Sequence, residues 1–297
     1  MKPEQIGCSP GYTFAHYGLD STLERFLWSL DRLGSMGYRN FGLEILEPVH
    51  TCIYRTPGAI EQLGERSRAA GVALNHFTIW HCTTNLHSVD PERRRLGVRQ
   101  FTEGCEIARD LGIPLVTVGS DWPPEWVSSY RGEYEHAPAA EFFVASPAEY
   151  SDVWNGYVDA MRRCLETAAQ RGVKLGVEPR ANSLLATSDS FLRLWDAVRS
   201  DNLYCVLDAM HAVYHRENLP AAIKKLGPRL VTLQISGTDG ASLNHLPLAP
   251  GDPVTTSAVR ALEEIGFPGT VDVEMYGMPA VEVDECYRQA REILEHT

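Results

Sequence analysis

Short runs rich in β-branched and aromatic residues recur along the chain. Each is followed by a polar turn, a helical pattern of about 12 to 20 residues, and a glycine or proline before the next run. The runs that predict strands are residues 6–12, 40–46, 73–79, 115–119, 174–178, 204–208, 231–235 and 270–274. Ser21-Thr22, Asp90-Pro91 and Ser188-Asp189 each precede a helical run, where a side-chain oxygen can accept from free backbone N–H groups. Gly34, Gly112 and Gly172 fall near helix ends, where a left-handed turn is needed.

Strict alternation of strand and helix demands parallel strands, because each crossover helix returns the chain to start the next strand in the same direction. Eight such units predict an α/β fold, a single (β/α)8 TIM barrel over residues 1–297. A doubly wound open sheet is the other topology with this rhythm, but no GxGxxG or other phosphate-binding glycine fingerprint follows the first strand. Residues 120–146, rich in proline and aromatics, are too many for a simple turn. They predict a long insertion after strand four, a lid or rim segment over the barrel mouth.

In such a barrel the active site forms at the C-terminal strand ends. The last four strands all finish on a polar residue: KLGVE at Glu178, YCVLD at Asp208, VTLQ at Gln234 and TVDVE at Glu274. Side-chain alternation puts these four on the inner wall with Gly176, Val206, Thr232 and Asp272, and turns Val177, Leu207, Leu233 and Val273 towards the helices. Three ionised carboxylates in one cavity repel one another, and a divalent cation is the simplest way to keep all of them charged. Oxygen donors without a thiolate or an obligatory imidazole suit a hard ion. One divalent metal is expected, Mn2+ ahead of Mg2+ or Co2+, with a structural zinc disfavoured. Any one of these residues alone reads equally well as a strand-end carboxylate in a salt bridge; recurrence at four matching strand ends is what points to a metal.

Several nearby residues invite two readings each. Arg180 can grip a substrate oxygen in its planar fork or close a rim salt bridge. His211 can donate to substrate or act as a base, or it can simply start a helix. His245, in LNHLPLAPGD, sits on the loop after strand seven, while Glu44 and His76 either line the pocket or are buried hydrogen-bonded residues. Trp122 and Trp126 can stack on a sugar or aromatic face, or pack the insertion onto the barrel.

Composition narrows the classes. With 44% hydrophobic and 22% charged residues the chain can build a large core, and its net charge of -12 disfavours nucleic acid and anionic membranes as partners. No secretory signal pattern opens the chain and no run of about 18 apolar residues occurs, so a cytoplasmic protein is expected. Seven cysteines, an odd number without CxxC pairing, read as reduced thiols, with Cys8 and Cys205 as small buried hydrophobes in strands.

The motifs GVEPR, LDAMHA, LQISGTDG and VEMYG, in this order, resemble the metal-binding strand ends of the xylose isomerase-like barrel superfamily. That group includes ketose 3-epimerases, inosose dehydratases and 3-dehydroshikimate dehydratases. The resemblance implies that Glu178, Asp208, Gln234 and Glu274 are metal ligands and that Asp208 and His211 form an Asp-x-x-His motif. It also implies that Glu178 and Glu274 exchange a substrate proton from opposite faces while His211 binds substrate. Arg180, His245, His76, Glu44 and Trp122 complete the expected substrate site.

Epimerases usually carry His where this chain has Gln234, and some dehydratase branches carry Gln. Two functions therefore stand. One is a metal-dependent isomerase or epimerase of a sugar or keto-sugar, working through an enediolate; the other is a metal-dependent lyase on a keto-sugar, keto-glycoside or cyclic polyol ketone. More remote are an abasic-site endonuclease-like barrel, which would need several metals and a basic DNA face, and a non-catalytic partner subunit. The expected partner is a small sugar-like molecule, and barrels of this kind often form homo-oligomers.

Overall fold

Eight parallel strands close into a barrel in chain order in the computed structural model, which describes residues 1–126 and 148–297. They are β1 (Ile6–Cys8), β2 (Asn40–Ile45), β3 (Ala73–Ile79), β4 (Leu115–Gly119), β5 (Lys174–Glu178), β6 (Leu203–Asp208), β7 (Leu230–Ile235) and β8 (Thr270–Val273). β1 pairs with both β2 and β8, so the sheet has no edge and the doubly wound alternative is excluded. Helices follow the strands and cover the outside. Residues 127–146 of the expected lid lie outside the described residues.

The strand alternation works as the sequence implies. Val177, Leu207, Leu233 and Val273 are buried in the main apolar core. Register sets Asp208 opposite Gln234, and Gln234 opposite Asp272. Glu274 lies just past β8, where its N–H still donates to Ile235 O at 2.9 Å. Inside the barrel, Asp272 accepts from Asn75 Nδ2 at 3.0 Å and stands 3.0 Å from His76 Nδ1. Two glycines make room for this pair: a Cβ on Gly7 would fall 1.9 Å from Asp272 Oδ1, and one on Gly42 would fall 2.3 Å from His76 Cε1.

Four local expectations need correction. β1 ends at Cys8 rather than residue 12, because Pro10 has no N–H for a ladder and its φ of -55° leads into the helix Gly11–Tyr17. The helix Ser188–Val198 is capped by Thr187, one residue earlier than expected, whose side chain accepts from Ser190 N–H. Gly34 sits within the helix Leu23–Ser35, where a Cβ would lie 2.5 Å from Ala70 O; it serves close helix packing, and the left-handed turn falls on Gly37. β8 stops at Val273, one residue short. Thr22 and Asp90 do cap their helices.

Cys8 and Cys205 are fully buried, and all seven cysteines are free. Among the described residues, no helix is long and apolar enough to cross a membrane.

Candidate metal centre

The C-terminal strand ends surround a cavity of about 530 Å3. Glu178, Asp208, Gln234 and Glu274 all line it, so the four strand-end residues do converge. Glu178, Asp208 and Gln234 are buried at its floor, and Glu274 is half-buried beside them. Gln234 Nε2 donates to Glu274 Oε2. Its other end, Gln234 Oε1, is buried with no hydrogen-bond partner among the described residues.

Asp208 does two jobs at once. One oxygen caps the short helix Ala209–Tyr214 by accepting from Met210 N–H at 2.7 Å, while the other faces His245 Nε2 at 2.9 Å. His211, one turn into that helix, brings Nε2 to 3.7 Å from Asp208 and 3.5 Å from Glu178. Tyr276 stacks on His245 with ring centroids 4.3 Å apart and its hydroxyl 3.4 Å from His245 Nε2. Arg180 Nε stands 3.9 Å from Glu178, and its guanidinium lies 4.7 Å over the Trp80 ring. Trp80 lines the same cavity as Glu44.

These groups do not share charge evenly. Burial pushes Glu178 well above the usual carboxylate range, and Glu274 and Asp208 add to the push. Burial also raises Glu274 to about 8, with Asp208 and Glu44 adding and His245 opposing. Asp208 goes the other way: burial would raise it, but His211 and His245 outweigh burial and hold its carboxyl at about 2. Burial holds His211 down at about 3 against the pull of Asp208. For His245 burial opposes the charge, yet Asp208 wins and raises it. Asp208 and His245 thus form a charged pair, whereas the two glutamates resist ionising together unless a cation joins them.

That resistance and the orphaned Gln234 oxygen fit a divalent ion. Two donor sets share Asp208. One is the oxygen set Glu178, Asp208, Gln234 and Glu274. The other is Asp208, His211 and His245, whose ligand atoms all lie within 4.8 Å of one another. The oxygen set better suits a hard ion, which prefers carboxylate and amide oxygens to imidazole nitrogen.

Glu44, Arg180, His211 and His245 line the cavity as expected. Two expected residues do not. His76 points inward but one layer deeper, paired with Asp272, and β3 reaches the cavity through Thr78 instead. Trp122 stacks on Trp126 with centroids 6.1 Å apart and packs against the core. The sequence reading missed Trp80, Tyr276 and Phe14. Tyr276 stands two residues past Glu274 in VEMYG and Trp80 directly follows β3, so strand-end position was an available signal. Phe14 was hidden by reading residues 6–12 as a strand.

Comparison with known proteins agrees with this architecture. A curated D-psicose 3-epimerase from Enterocloster bolteae is 23% identical over 94% of this chain and 85% of its own length. The crystal structure of D-psicose 3-epimerase with D-tagatose from Clostridium cellulolyticum H10 superposes with a TM-score of 0.75 at 16% identity, covering 98% of each chain. That of the 3-keto-D-glucoside 4-epimerase from E. coli gives 0.72 at 16% identity, covering 97% of this chain and 99% of that one. Residues 30–296 match the profile described as Xylose isomerase-like TIM barrel, and the chain belongs to that family.

Proposed function

We propose that this chain is an enzyme that epimerises or isomerises a ketose or keto-sugar with one divalent ion, Mn2+ in the first place, held by Glu178, Asp208, Gln234 and Glu274. The observation that carries this reading is the convergence of three acidic side chains and one orphaned amide oxygen in a single cavity. The relatives support it: by their names, both epimerases invert a carbon adjacent to a carbonyl. A bound divalent ion would supply electron withdrawal at the substrate carbonyl, which acidifies the neighbouring C–H.

The remaining roles belong to the protein. Glu178 ends β5 and Glu274 follows β8, so β6 and β7 lie between them and a substrate held there offers one face to each. One carboxylate removes the proton, and the other carboxylic acid returns one to the opposite face. His211, kept neutral by burial, can donate or accept at a substrate hydroxyl, and Arg180 offers a fixed fork to another. His245 keeps Asp208 ionised.

Loss of the same proton followed by departure of a neighbouring substituent would make the enzyme a lyase, a reading that Gln234 keeps in play. Incubation of Mn2+-loaded protein with D-psicose, D-tagatose or a 3-keto-glucoside in D2O separates the two. Deuterium at the inverted carbon of a retained sugar is the expected result. An unsaturated product with a new ultraviolet band would mean lyase chemistry, and no exchange with any of these sugars would overturn both.

A further inference from the structure

Tyr276, two residues past Glu274, is half-buried and lines the cavity with the four strand-end residues. Its ring is fixed on two sides: it stacks on His245 with centroids 4.3 Å apart, and Phe14 meets it edge to face at 5.5 Å. The backbone holds the same approach, since Tyr276 N–H and Gly277 N–H both donate to His245 O, at 3.2 and 3.0 Å. The phenol cannot turn away without unstacking from His245, so its hydroxyl has little freedom of position.

The donors and acceptors around that hydroxyl can be counted. Ionised Asp208 only accepts, so the hydrogen between its Oδ2 and His245 Nε2, 2.9 Å apart, belongs to the imidazole. His245 Nε2 is therefore a donor, and the Tyr276 oxygen 3.4 Å away can only accept from it. That contact is the hydroxyl's one hydrogen bond among the described residues. The O–H of Tyr276 is thus left over, turned away from His245 in a side chain that lines the cavity, where an acceptor on a bound molecule would satisfy it.

We propose that Tyr276 is a further catalytic residue, whose O–H donates a hydrogen bond to the substrate oxygen that gains negative charge when the neighbouring C–H is lost. The assignment rests on the proton-abstraction reading of the same cavity. The O–H stays on the phenol throughout; the contact strengthens as charge develops, so it favours the enediolate over the bound sugar.

Tyr276→Phe removes only the hydroxyl and keeps both ring contacts. Calorimetric titration of Mn2+-loaded wild type and variant with glycolohydroxamate, a planar anionic mimic of an enediolate, reads the contact without turnover. Removing one such donor lowers rates by about 100- to 1,000-fold in other enzymes, so the variant should bind the mimic at least about tenfold more weakly. Mn2+ affinity should stay equal, and the rate of deuterium exchange into D-psicose or D-tagatose should fall in kcat more than it changes in KM. Equal affinity for the mimic, no binding of it by the wild type, or an equally large loss of Mn2+ affinity in the variant would overturn the assignment, the last by showing that the hydroxyl acts through His245 and Asp208. Weaker binding of the mimic by the variant, in a wild type that exchanges deuterium into no keto-sugar, would remove the epimerase reading and leave Tyr276 as the donor to an anionic oxygen.

Discussion

Replacing Gly119 with alanine tests whether the wall of the cavity is built by close packing against Trp80. A Cβ there would stand 2.1 Å from Trp80 Cζ3, 2.9 Å from Trp80 Cη2 and 3.1 Å from Arg180 Cδ. Trp80 is not free to swing aside without losing the Arg180 guanidinium that lies over its ring. Overpacking of this kind costs about 1–3 kcal/mol. At about 2–4 °C per kcal/mol for a large domain, Tm should fall by roughly 2–12 °C. Loss of the guanidinium–indole contact, worth about 0.5–2 kcal/mol, should lower kcat/KM about 2- to 30-fold if Arg180 orients the substrate. Trp80→Phe removes the six-membered ring that carries both clashing atoms, so Gly119→Ala should cost markedly less in that background. A double-mutant cycle, read by thermal unfolding and by kcat/KM, measures the coupling. Equal cost of Gly119→Ala in both backgrounds would refute the packing argument.

Two further outcomes follow from the same geometry. Glu44 and Glu274 have folded-state values of about 8 against an ordinary 4.5, so their favourable contribution is present below about pH 4.5 and is lost as pH rises through about 8. Because a cation offsets the cost of ionising Glu274, the rise in Tm on adding Mn2+ should be larger at pH 8 than at pH 5.5 by scanning fluorimetry; an equal rise at both would contradict this. Asp272→Ala removes the carboxylate beside His76 and the acceptor of the Asn75 amide, and leaving a buried donor without its partner costs about 1–3 kcal/mol. Urea unfolding should register that loss, whereas a change under about 1 kcal/mol would show that the pair contributes little.

The fold was legible because period-two apolar runs and helix-start residues recur in strict order, and closure follows from eight repeats. The four strand-end oxygens were legible for a related reason: alternation fixes which side chains enter the barrel, and strand ends fix their depth. What depended on third-dimension detail was not. His76 lies on the correct face, but its layer is set by Gly42 and Asp272 on other strands, which one strand read alone does not reveal. Gly34 looks like a helix stop in sequence, and only the neighbouring helix explains it as a contact. Trp80 and Tyr276 are aromatic residues beside polar motifs, and their stacking on Arg180 and His245 is a tertiary fact.

The central claim is that one cation is gripped by oxygens from the last four strands. Metal analysis after equilibrium dialysis of wild-type protein, Glu178→Gln and Glu274→Gln against Mn2+ tests it most directly. The account predicts about one ion per chain in the wild type and a large loss of binding in both variants, with thermal unfolding confirming that they remain folded. A wild-type chain that retains no ion, or variants that bind Mn2+ as tightly as the parent, would contradict it.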